Sequence, residues 1–151
     1  MLLNGVISVS IMLSLKAIEH NHWHDGQLRL AAVDDNRDTD DSVVGCIDLY
    51  NFDPIHRRAA VGITVRTDLR RCHVGSQMLH LLSVMAYDVL NIHQLYADIR
   101  ITNQPSINLF TKAGYLRCGL FKSWLVVADG FEDVVRMQLI LGDDKIINPL
   151  T

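Results

Sequence analysis

The chain has 151 residues, 49% apolar and 21% charged, the balance of one globular domain able to bury its own core. A formal net charge of −3 and a pI near 6.1 exclude nucleic-acid capture through a global basic field, so any phosphate must be held by a local patch. Cys46, Cys72 and Cys118 are too few and too scattered for a disulfide framework or a four-ligand zinc site, which points to a reducing, cytoplasmic compartment. Met1 to Leu15 is apolar but lacks a basic start and is followed by no small-residue cleavage site, so it is not expected to be a secretion signal. No run approaches the roughly eighteen apolar residues of a membrane span, and no membrane partner is expected.

Ile11, Leu15 and Ile18 stand at i, i+4 and i+7 behind Ser8 and Ser10 and predict a short helix over 8–19. Leu28, Leu30 and Ala32 alternate with Gln27, Arg29 and Ala31 as a strand, the polar run Asp34 to Asp41 turns the chain, and Val43 to Tyr50 returns as a second strand. A loop with Pro54 follows, then Ala59, Val61, Ile63 and Val65 alternate as a third strand. The period now changes. Val74, Met78, Leu81, Leu82, Met85 and Val89 predict a helix from about His73 to Leu90. Leu95, Ala97, Ile99 and Ile101 form a fourth strand, and Asn103 and Pro105 open a shorter helix that turns Ile107 and Phe110 inward and stops at Gly114. Tyr115 to Val127 and Glu132 to Leu141 close the chain as a hairpin around Ala128 to Phe131. Helix, three strands, helix, strand, helix and two strands make an α+β, or mixed α/β, single domain over 1–151.

The informative junction is the third strand running into the long helix. A helix N-terminus leaves about four backbone N–H groups unpaired and carries partial positive charge. Arg66, Arg70 and Arg71 crowd that end, and Gly75 admits a ligand close to the backbone. The combination suits a diphosphate; the other reading is an arginine-rich, solvated loop that caps a helix. His20, His22, His24 and Asp25 read as a solvated polar turn, so no metal is expected. Trp23 and Trp124 are expected in the core rather than lining an amine site, and Cys72 has no base placed beside it for covalent catalysis.

Arg70-Arg71-Cys72-His73-Val74-Gly75 resembles the acetyl-CoA loop Gln/Arg-x-x-Gly-x-Gly/Ala of the GNAT superfamily of N-acetyltransferases, with His73 where the first glycine is usual. Asn103, Ser106, Leu109, Phe110, Lys112, Gly114 and Tyr115 match that family's later motif, Asn-x-x-Ser/Ala-x-x-Leu-Tyr/Phe-x-Lys-x-Gly-Phe/Tyr. The likeness runs from about Gln27 to Ile140 and is nearest the branch of ribosomal-protein and spermidine N-acetyltransferases.

The resemblance implies a central, mostly antiparallel sheet with a splayed parallel strand pair, flanked by helices, and an N-terminal strand and helix absent or shortened. It implies acetyl-CoA as co-substrate, with pantetheine pairing along Ile63 to Val65 and the diphosphate on the amides of Arg70, Arg71, Cys72, His73, Val74, Gly75 and Ser76. Asn103, Ser106 and Phe110 would lie near pantetheine and thioester. Phe110 stands where a tyrosine often protonates the leaving thiolate, so Ser106 becomes the candidate acid. Asp98, five residues before Asn103, takes the base position of some relatives, unless it merely pairs with Arg100. The implied activity is acetyl transfer to a primary amine by direct attack in a ternary complex. The other reading of the same fold is a CoA-binding protein without turnover. Ala60 stands where spermidine acetyltransferases commonly carry an acid, which weakens a polyamine assignment and leaves protein N-termini, polyamines and aminoglycosides all open as acceptors. A homodimer is a further implication.

Overall fold

A computed structural model describes residues 13–17, 26–37, 42–70 and 73–142. Seven strands form one sheet: β1 (Leu13–Ala17), β2 (Leu28–Asp34), β3 (Val43–Asp53), β4 (Arg58–Val65), β5 (Gln94–Arg100), β6 (Leu116–Val127) and β7 (Gly130–Ile140), in the order β1-β2-β3-β4-β5-β7-β6. Every neighbouring pair is antiparallel except β4 and β5. Helix α1 (Val74–Asp88) follows β4, and α2 (Gln104–Lys112) follows β5. The expected mixed α/β architecture, with a mostly antiparallel sheet and one parallel pair, is present.

Period-2 alternation sorts each strand between two faces. Leu95, Ala97 and Ile99 of β5, Ala59 and Val61 of β4, and Val135, Met137 and Leu139 of β7 point into one core with Val74, Met78, Leu79, Leu82 and Ala86 of α1 and Ile107 and Phe110 of α2. Burying each large aliphatic here contributes about 1.5–3 kcal/mol. The opposite face of the sheet carries Asp48 and Tyr50 of β3, Tyr96, Asp98 and Arg100 of β5, and Arg136 of β7.

One expected helix is a strand. Leu13–Ala17 pairs antiparallel with β2, Leu15 opposite Ala32. Leu13 and Leu15 pack against the core, so alternation, not the 3.6-residue period, governs this segment. The flanking parts of the expected helix lie outside the described residues, as do His20, His22, Trp23, His24 and Asp25.

Helix α2 is closed at both ends by local chemistry. The Asn103 side chain accepts from the Ser106 N–H at 3.3 Å, and Pro105 sits in the first turn, where its missing N–H costs nothing. At the other end Gly114 takes φ +92°, and the Tyr115 N–H reaches back to the Phe110 carbonyl at 3.0 Å. That six-residue closure brings its flanking side chains together, and the Phe110 and Tyr115 rings meet edge-on at 4.9 Å.

Candidate functional site

Strands β4 and β5 are bonded only at Arg58 with Gln94, Ala59 with Leu95 and Ala60 with Tyr96. Beyond that row they part. From Val61 to Val65, β4 stays paired with β3 on one side, while its β5 side has no strand partner. The carboxyl end of β4 runs through the short 3-10 turn Thr67–Leu69 to α1, whose first turn lies against Leu109 of α2 at Gly75, and that of β5 runs through three residues into α2. A crevice beyond the carboxyl ends of a parallel pair, topped by helix N-termini, is where α/β sheets take ligands.

At the first of these ends, Ile63 and Val65 are half-buried on the β4 stretch that lacks a β5 partner, as expected of residues beside an inserted chain. Val74 is buried, Ser76 is half-buried, and Arg70 is exposed. Arg71 and Cys72 lie outside the described residues. Arg66 is committed elsewhere: its guanidinium forks onto Asp68 at 2.8 and 2.6 Å and reaches the Val43 carbonyl. That fork holds the Asp68 carboxyl at a pKa of about 2. The local basic patch is therefore smaller than the three arginines suggest.

His73 has φ +61°, the left-handed region, at the residue that enters α1. This is the physical reason for a glycine in the related motif, and histidine is among the few other residues that visit this region readily. His73→Gly should therefore stabilise the fold by up to about 1 kcal/mol in urea unfolding. The relief of roughly 1–2 kcal/mol of left-handed strain exceeds the 0.4–1 kcal/mol of added chain entropy.

Gly75 is buried, and a Cβ there would stand 3.1 and 3.2 Å from the two Leu109 methyls and 3.5 Å from Val65. Its bareness lets α1 close onto α2 and β4. Phe110, expected beside the cofactor, is 2% exposed and spends its ring on the Tyr115 contact that ends α2. Tyr115 is equally buried, its hydroxyl has no protein partner, and burial pushes its phenol well above the usual tyrosine range.

Ser106 is half-buried in the first turn of α2. The turn that presents it is tied down by Glu132 of β7, which accepts from the Thr102 N–H at 3.2 Å, from the Thr102 hydroxyl, and from Arg100 at 2.9 and 2.5 Å. Those bonds, the hydroxyl first, hold the Glu132 carboxyl below the usual range.

Asp98 pairs with Arg136, not Arg100, through two bonds of 2.7 Å. The antiparallel register decides this, because it sets Asp98 directly opposite Arg136 on β7. Arg136 lies over the Tyr96 ring at 4.5 Å and the Phe121 ring at 5.0 Å. Trp124, expected in the core, is 60% exposed and stacks on Phe121 at 4.8 Å. A bulge puts it there: Ser123, at φ +50°, and Lys122 both bond Asp133. Tyr50 on β3 shares this face, and its phenol is raised by burial and then by the Asp98 carboxylate. Sequence reading passed over Tyr50, Arg136 and Phe121, because only strand register brings them together.

Among the described residues no group of three or more histidine, cysteine, aspartate or glutamate side chains could hold a metal, and no helix is long and apolar enough to cross a membrane. A model of the acetyltransferase (GNAT) domain matches residues 11–116, and the chain belongs to that family. An N-alpha-acetyltransferase of Sulfurisphaera tokodaii is 31% identical over 77 residues, 51% of this chain and 44% of that protein. The spermidine N(1)-acetyltransferase of Escherichia coli K12 is 22% identical over 123 residues, 82% of this chain and 64% of that protein. The chain thus spans less than two thirds of either relative. The crystal structure of Vibrio cholerae spermidine N-acetyltransferase in complex with CoA and spermine superposes with a TM-score of 0.72 at 18% identity, covering 82% of this chain and 70% of that one. Mutant forms of the spermidine/spermine N-acetyltransferase from the same organism reach 0.77 at 18% identity, covering 93% and 100%. At this identity the likeness is one of fold.

Proposed function

We propose that this protein is a cytoplasmic, single-domain N-acetyltransferase that moves the acetyl group of acetyl-CoA directly to a primary amine in a ternary complex. The parting of β4 and β5 beneath two helix N-termini carries the reading. A pantetheine arm bears amides that can pair with the β4 backbone around Ile63 and Val65, as a strand would. The first N–H groups of α1, from His73 to Ser76, offer donors and partial positive charge to a diphosphate, with Arg70 beside them. Asn103 and Ser106 stand at the start of α2, across the gap.

The helix side of the sheet is filled by the core, so the amine reaches the thioester from the opposite face, past Tyr50, Tyr96 and Asp98. A carboxylate offers about four lone-pair sites, and Arg136 takes two from Asp98, leaving it able to draw a proton through water. The nitrogen attacks the carbonyl, the C–S bond breaks, and the thiolate takes a proton from Ser106 or leaves under the α2 N-terminus.

A thiol of pKa about 8.5 needs little help to leave, so Ser106→Ala should lower kcat about tenfold with CoA affinity kept. Asp98→Asn should lower kcat/KM below the amine's pKa and recover at high pH, where the amine deprotonates unaided. A profile that overlays wild type removes Asp98 from the mechanism. Phe110 without a phenol and Asp98 bound to Arg136 favour the second reading, a CoA-binding protein without turnover. Thiol release over an amine panel separates the two, and calorimetry with CoA against ATP tests the site itself.

A further inference from the structure

Two carboxylates are buried among the described residues, and a carboxylate leaves water only where donors take its charge. Asp34 serves its own turn, accepting from the Asn36 N–H at 3.1 Å and pairing with Arg37. Glu132, 8% exposed, reaches from β7 to the end of β5, 30 residues earlier in the chain. A carboxylate has about four lone-pair sites. Here all are used, by the N–H and hydroxyl of Thr102 and by two nitrogens of Arg100.

The turn it holds needs an outside support. Strand β4 leaves β5 after the pairing of Ala60 with Tyr96, so the last residues of β5 are bonded from the β7 side alone. The backbone ladder ends where the Ile101 N–H reaches the Asp133 carbonyl at 3.0 Å. One residue on, the Glu132 carboxylate stands in for a strand carbonyl and takes the Thr102 N–H. A 2.9 Å bond from the Asn103 N–H to the Arg100 carbonyl then closes the turn, and Asn103 caps α2. Ile107 and Phe110 fix the body of α2 in the core, while Glu132 fixes the residue before its cap. Glutamine has the same shape but cannot do this. Its carbonyl serves one set of donors, and its amide N–H groups then face the other.

We propose, resting on the acetyltransferase reading above, that Glu132 is a positioning residue for acyl transfer, acting through Thr102 to hold Asn103 and Ser106 of the α2 N-terminus against the thioester. The diphosphate is taken by α1, so loosening this turn slows the chemistry and spares CoA affinity. A misplacement of about an ångström can cost about a hundredfold in rate.

The test reads thiol release with a tripeptide, spermidine and kanamycin, using whichever reacts fastest, beside CoA calorimetry on the same full-chain protein. Glu132→Gln should lower kcat at least about tenfold, with CoA affinity within about twofold of wild type. Thr102→Val, which keeps the N–H and the side-chain size, should lose about threefold to fivefold, Thr102→Ser less, and the double variant no more than Glu132→Gln alone. Amide exchange in the unliganded chain should quicken at Thr102 and Ser106 in Glu132→Gln while the α1 amides hold. Four results would each overturn the proposal: exchange unmoved at those two amides, kcat per folded molecule kept in both single variants, CoA affinity lost in step with kcat, or additive losses in the double variant. If Glu132→Gln does not fold, Thr102→Val against Thr102→Ser decides alone. Wild type without CoA heat or without thiol release overturns the acetyltransferase reading and this assignment with it, whereas CoA heat and turnover unmoved by the variants overturn this assignment only.

Discussion

Gly75→Asp should lower CoA affinity at least about a hundredfold, roughly 2.7 kcal/mol, and destabilise the fold as well. The new side chain starts 3.1 Å from a Leu109 methyl and 3.5 Å from Val65, in a buried seam where a carboxylate finds only hydrocarbon. It escapes by prising the first turn of α1 away from α2, which scatters the N–H groups offered to the diphosphate, and its charge opposes the ligand's. Gly75→Ala separates the two effects. Its methyl presses only on the flexible end of Leu109, costs about 1 kcal/mol, and keeps CoA binding. Combined with Leu109→Ala it should cost less than the sum of the single changes, as for residues that touch. A folded Gly75→Asp protein with wild-type CoA affinity removes the α1 N-terminus from the site.

Gly45→Ala should cost about 3 kcal/mol and lower Tm by about 6–12 °C. A Cβ at this β3 position would stand 2.5 Å from the Thr64 carbonyl oxygen and 2.9 Å from the Met78 terminal methyl. Met78 can turn aside, but the carbonyl belongs to paired strand backbone and cannot. Strand β4 must move, and β4 borders the gap, so KM for acetyl-CoA should rise as stability falls. Met78→Ala should not rescue the variant, because the nearest contact is backbone. A Gly45→Ala protein that melts within a degree or two of wild type refutes this account.

Much of the frame was legible in the chain itself. Alternation set β2, β4 and β5, the 3.6-residue period set α1, and Asn103, Pro105 and Gly114 set both ends of α2. Local rules suffice there because the signals are local: a cap, a ring that fixes φ, a residue free to take φ +92°. The segment over 13–17 escaped because five residues carry too little period to separate a strand from a helix, and its pairing with β2 decides.

The two chain motifs carry local backbone demands, and the left-handed φ of His73 shows what one of them is. Gly75 and Phe110 have their reasons in packing, one at the seam of two helices and the other at a helix stop. The sheet face that carries Asp98 and Arg136 was hidden for a different reason. Asp98 and Arg136 are 38 residues apart, and Phe121 joins them only across a bulged hairpin. The sequence by itself determined the elements, the helix ends and the family. Tertiary structure alone decided which charges meet, because strand register is fixed by the burial of a whole face and not by any one residue on it.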